Sequence, residues 1–102
     1  MDYREAGIAE ELILFRERID KIDEQLIALI AARYSLVYAT LSLKKANDIS
    51  PLDRSREDEI TKRLELLATG KLPTGVAKKL IQEIINVLRD QALYELGWYA
   101  RN

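Results

Sequence analysis

Between Leu26 and Ala46 the chain reads LIALIAARYSLVYATLSLKKA, and Arg33 and Lys44 stand in its apolar stripe where Leu or Ile would continue the pattern. Arg33 extends the series Ile22, Leu26, Leu29, Arg33, Leu36. Lys44 follows eleven residues later; eleven steps of 100° come within about 20° of three full turns, so on a helix the two share a face. They would stand roughly 16 Å apart along the axis, a gap that two long side chains can close around one small anion. Such charges are costly to bury alone, so a carboxylate on another helix, a bound anion or water reached by the stems must meet them. Arg16 lies seventeen residues before Arg33, about 100° around and roughly 25 Å down a helix. That is too far for the same pocket in its own chain, though an antiparallel second chain would bring it there. In DRSRE, the residues Asp53, Arg56 and Glu57 fall at i, i+3 and i+4 on one helical face.

Composition narrows the chemistry. With 16 basic and 17 acidic residues the net charge is -1, so no global field draws nucleic acid or an anionic membrane and any cationic function is local. The sequence has no cysteine and no histidine, which removes disulfides, thiolate and imidazole metal sites, and nucleophiles activated by histidine. RSREDE reads as a solvated acidic helix start rather than a carboxylate metal site, so neither metal nor cofactor is expected. The start MDYREAG is charged and lacks an apolar leader, and no uninterrupted apolar run is long enough to cross a bilayer. A soluble cytoplasmic protein follows as the expectation. At 102 residues, 48% of them hydrophobic, one domain over 1–102 is expected, with no room for a separate regulatory domain and with help from a partner chain unsurprising.

The elements that must position these residues are helical. From Ile8 the residues Leu12, Phe15, Ile19, Ile22, Leu26, Leu29, Leu36, Thr40 and Leu43 keep an approximate heptad rhythm, with neither Pro nor Gly between positions 8 and 50. One helix of about forty residues and roughly 60 Å follows. It is longer than a domain of this size is wide, so part of its apolar face is expected to pack on another chain. NDISP, from Asn47 to Pro51, is the first break, since Pro51 disfavours helix in the residue before it and lacks an amide donor. A second helix runs from about Asp53 to Ala68, capped by Asp53 or Ser55, with Leu64 and Leu67 facing inward, and ends at Gly70. After GKLPTG, with Thr74 as the expected cap, a third helix runs to about Leu96 with Val76, Leu80, Ile84, Val87, Leu88 and Leu93 at helical spacing. Strand signals are absent.

The run FRERIDKIDEQLIALIAAR, then Lys44 eleven residues after Arg33, then Arg56-Glu57 twelve and thirteen residues after the lysine, resembles the all-helical chorismate mutases of the AroQ class. The likeness covers nearly the whole chain and is strongest from Arg16 to Glu57. It implies an all-α fold: a three-helix protomer with a long first helix, intertwined in a homodimer with two shared active sites. By resemblance each site takes Arg33 and Lys44 from one chain and Arg16 from the other. The two arginines would grip the carboxylates of a dicarboxylate substrate, and the lysine would reach a carboxylate and the ether oxygen. Glu57 would hold the ring hydroxyl, the Asp53 backbone would assist, and Arg56 would support the acidic cluster. A glutamine on the last helix donates to the ether oxygen in this family, and Gln91 is its candidate. An alignment on Ile84-Ile85 would instead place Ala92 opposite it. Val87 stands where family members often carry Ser one turn earlier, and Pro51 is one residue nearer to Asp53 than usual.

The reaction the resemblance implies converts chorismate to prephenate by a unimolecular rearrangement in which a carbon–oxygen bond breaks as a carbon–carbon bond forms and no proton moves. Such chemistry has no need of histidine. Two arginines would select the compact conformer of the substrate, while Lys44 and Gln91 would stabilise the charge that grows on the ether oxygen. An amide donor does not titrate near neutrality, so activity would be flat there. Two related activities stay open on this scaffold. One is removal of pyruvate from isochorismate, toward which the aromatic tail LYELGWY points; the other is rearrangement of the 4-amino analogue of chorismate, whose amine Glu57 would hold as readily as a hydroxyl. A non-catalytic helical dimerisation module, its cations paired internally, is the reading of a different class. Tyr34, Tyr38, Tyr94, Trp98 and Tyr99 are read as packing rather than ligand-stacking residues.

Overall fold

In the computed structural model the described residues are 3–98, and they form three α-helices and no strand. Helix α1 spans Tyr3–Ala46, α2 Arg54–Ala68 and α3 Val76–Glu95. Tyr99 lies outside the described residues. By internal contact the chain divides into two compact units, Met1–Arg33 and Tyr34–Asn102.

The first unit is helix alone. Ile8, Phe15, Ile19, Ile22, Leu26 and Leu29 are all exposed, Leu29 at 69%. Nothing within this stretch can cover a stripe that runs along a single helix. An 18-residue window of α1 reaches a mean hydropathy of 1.7 with only 6% of it buried, so by length and composition the helix could cross a membrane. The apolar run is not uninterrupted, since Arg33 falls inside it. A helical stripe made to be covered by protein has the same composition.

The second unit holds its own core. Leu41 on α1 and Ala92 and Leu93 on α3 are buried together, with Tyr34, Val37, Leu96 and Trp98 packed against them. The end of α1 is fixed by backbone rather than by proline. Asp48 adopts φ 56°, its amide donates to the Lys45 carbonyl and the Ile49 amide donates to the Lys44 carbonyl, the paired bonds that close a helix around a left-handed residue. α1 therefore stops at Ala46, short of Pro51, and at its other end starts before Ile8.

Asp53 caps α2, its Oδ1 accepting from the Arg56 amide at 2.9 Å, which decides between the two cap candidates. The inward stripe of α2 runs through Glu57, Thr61, Leu64 and Ala68, while Leu67 is exposed, about 100° off that stripe. The Thr74 cap does not form. Gly75 takes the N-cap position with φ 86° and no side-chain hydrogen bond, because the turn into α3 requires a left-handed residue there. The inward stripe of α3 is the buried Ala77, Ile85, Ala92 and Leu93 with the half-buried Ile81, Leu88 and Arg89, whereas Leu80 and Val87 are exposed.

Candidate active site

Each residue singled out by its chemistry has a place on these helices. Arg16 is exposed on α1, and Arg33 on the same helix is half-buried. Lys44, also half-buried, directs its ammonium at the Pro51 carbonyl at 3.5 Å, toward the loop that leads into α2. No ion pair among the described residues uses Arg16, Arg33 or Lys44. The internal carboxylate partners that a purely structural role would require are thus not supplied by the described residues of this chain.

The DRSRE group does not act as one cluster. The Asp53 carboxylate is committed to the α2 cap, and Arg56 pairs outward with Glu59 at 2.9 Å. Glu57 turns the other way, toward α3, where one guanidinium nitrogen of Arg89 donates to both its oxygens at 2.6 and 2.7 Å. The two side chains are only 20% and 26% exposed, for arginine and glutamate respectively. Arg89 also donates from Nε to Asp90 at 3.1 Å. Burial is the largest single influence and works against the guanidinium charge, but the bonds and charges of Glu57 and Asp90 together outweigh it, so the charge is held more tightly than in water.

Arg89 is the residue that reading the sequence missed. The signal was the one that exposed Arg33. Four residues after Ile85 and four before Leu93, Arg89 is a cation inside an apolar stripe. Gln91, by contrast, is exposed and donates its amide to Glu95 Oε1 at 3.0 Å. Glu95 accepts a second bond from the Tyr34 hydroxyl at 2.6 Å. That bond, followed by burial, pushes the Tyr34 pKa up to about 12, and the same bond followed by the Gln91 amide holds the Glu95 carboxyl below its ordinary value. Ala92, the alternative in the third-helix register, is fully buried, and Val87 is exposed.

Within the second unit, a half-buried lysine beside the entry to α2 and a carboxylate held in place across α2 and α3 supply charges of opposite sign with no thiol or imidazole among them. Fixed charges of both signs suit a reaction that needs orientation and charge stabilisation but no covalent intermediate. Residues 15–92 match the family model for chorismate mutase type II, more than half of the chain, and the protein belongs to that family. It is an isomerase of chorismate mutase type, built on an all-α fold and acting on a chorismate-like small molecule. No curated protein and no solved structure matches the chain significantly.

Proposed function

We propose that the protein converts chorismate to prephenate, as a single catalytic domain over 1–102, in a homodimer whose two sites each draw on both chains. The observation that carries this reading is the set of three cations on α1, Arg16, Arg33 and Lys44, that meet no carboxylate among the described residues. A helical scaffold with no substrate would have little reason to keep two of them half-buried. In this reading Arg33 and the second chain's Arg16 bind the carboxylates and Lys44 meets a carboxylate and the ether oxygen. Glu57 accepts from the ring hydroxyl, beside the backbone of Asp53. Arg56 supports the start of α2, and Val87 borders the α3 side. Gln91 is the neutral donor to the ether oxygen, which requires its amide to leave Glu95. The exposed stripe of the first unit is the surface on which the second chain packs. A cytoplasmic location and a role in aromatic amino-acid biosynthesis belong to the same proposal.

The test is a parallel assay with chorismate and isochorismate, followed by mixing of inactive subunits. Prephenate formation from chorismate supports the reading. Pyruvate release from isochorismate alone would make the protein a lyase on the same scaffold. An Arg16→Ala chain and an Arg33→Ala chain, each inactive by itself, are expected to regain activity when mixed, because the heterodimer rebuilds one complete site. Absence of recovery after verified subunit exchange would show that Arg16 does not act across an interface.

A further inference from the structure

The ion pair between Glu57 and Arg89 bears on a question that the site residues leave open, namely which substituent on the substrate ring the protein accepts. A carboxylate alone takes a hydroxyl or an ammonium, and it favours the ammonium because the bond is then between opposite charges. Glu57 is not alone. Arg89 donates from one nitrogen to both carboxylate oxygens, at 2.6 and 2.7 Å, and this occupies one acceptor direction on each oxygen and leaves another on each. The charged groups facing the guanidinium are Glu57 from α2 and Asp90 on its own helix. Both side chains of the inter-helix pair are largely withdrawn from water, so the guanidinium field at the carboxylate is weakly screened.

We infer that Arg89 is a specificity-determining residue, one that makes Glu57 an acceptor for a neutral ring hydroxyl and turns the site against an analogue carrying an ammonium at the same ring position. An ammonium bonded to Glu57 stands within a few ångströms of the guanidinium, and like charges at that separation repel in a poorly screened site. A hydroxyl carries no such penalty and still finds a free acceptor direction. Discrimination therefore arises from a repulsive element behind the acceptor, not from the acceptor itself. The inference rests on the proposed role of Glu57 toward the ring substituent.

The experiment compares kcat/KM for chorismate and for its 4-amino-4-deoxy analogue in the parent enzyme and in Arg89→Gln, Arg89→Lys and Glu57→Gln. The parent is expected to prefer chorismate at neutral pH, and the relative rate with the amino analogue is expected to rise at alkaline pH as the amine loses its charge. Arg89→Gln is expected to shift the ratio toward the amine by about tenfold or more, and Arg89→Lys to restore most of the parental ratio. A purely structural role for Arg89 would lower both substrates by one factor. An unchanged ratio in Arg89→Gln, while Glu57→Gln still depresses chorismate turnover, overturns the inference and leaves the role of Glu57 standing. If Glu57→Gln leaves chorismate turnover intact, the role of Glu57 fails and the inference goes with it. Should Arg89→Gln not fold, the parent decides alone, since equal use of both substrates at neutral pH contradicts the repulsion.

Discussion

Ile22 and Leu93 look alike in the sequence, two branched aliphatic residues at stripe positions of long helices, yet Leu93 is fully buried and Ile22 is 55% exposed. The difference belongs to their units. In Tyr34–Asn102 the chain supplies helices that cover one another's stripes, so the periodic signal becomes a core. In the first unit the described residues form one helix, and the same signal becomes an exposed stripe. Helical periodicity reports that a face is meant to be buried. It does not report whose side chains bury it.

The sharpest way to break the comparison is to truncate a residue in each unit. Leu93→Ala removes the largest fully buried side chain, and a loss of about 3 to 5 kcal/mol is expected, independent of protein concentration. Denaturant midpoints measured over a hundredfold range of concentration check both points. If Leu93→Ala instead costs under about 1 kcal/mol, the second unit has no core of the kind described.

Lys44 belongs to the second unit and is expected to matter for turnover rather than for folding. Arg16 and Arg33 would meet carboxylates that exist before the reaction, whereas Lys44 also meets charge that exists only as the ether bond breaks. Lys44→Ala is therefore expected to lower kcat by roughly 10² to 10³, about 3 to 4 kcal/mol of transition-state stabilisation. Gln91→Ala is expected to cost less, because its amide is neutral and already engaged by Glu95. Lys44→Arg is expected to recover little, since a planar guanidinium cannot place its donors where a compact ammonium stood. A kcat for Lys44→Ala within about threefold of the parent removes the electrostatic role.

In the first unit, Ile22→Glu tests the exposed stripe. It adds a charge to a position that is exposed within one chain, so a lone helix would not register it. If a second copy covers that stripe, the substitution is expected to weaken association by about 2 kcal/mol, roughly thirtyfold in the dimer dissociation constant. Sedimentation reads the change directly. Unaltered self-association, or none in the parent, would mean that the stripe is covered by something other than this chain.

How far the sequence was legible follows the same division. The three helices and the Asp53 cap were readable because apolar spacing and capping chemistry are local. The stop of α1 before Asn47 was readable too, but its cause was not, because Pro51 is a louder signal than Asp48, although a single left-handed residue is enough to close a helix. Arg33 and Lys44 stood out against an apolar background. Arg89 interrupts its stripe in the same way, but Asp90 and Gln91 follow it and make the segment look like an ordinary polar face. Its partner Glu57 lies 32 residues away, and no local rule links the two. The polar site is therefore the least readable part, since each of its pairs depends on which helices meet.

The smallest expected effect concerns the bond between Tyr34 and Glu95, which joins α1 to α3 within the second unit. The Tyr34 hydroxyl donates, so the bond exists only while the phenol keeps its proton. The folded chain holds that proton up to about pH 12, against an ordinary value of 10.0. A group whose pKa is raised by folding stabilises the fold fully below its unfolded value and loses that contribution as pH climbs to the folded one. The bond's contribution is thus constant to about pH 10 and declines between 10 and 12. On the acid side Glu95 is shifted downward, first by Tyr34 and then by Gln91, so its contribution is full above the ordinary carboxylate range and fades as pH falls through the lowered value. Stability against pH should show a plateau with a shoulder on each side. Tyr34→Phe is expected to remove the alkaline shoulder and to shrink the acid one, since Gln91 still donates to Glu95, while turnover at neutral pH stays near the parent's. Because both groups lie near solvent, the shoulders should be shallow and should be read as differences between the two proteins. An alkaline shoulder that persists unchanged in Tyr34→Phe would assign it to another group and free Glu95 from this bond.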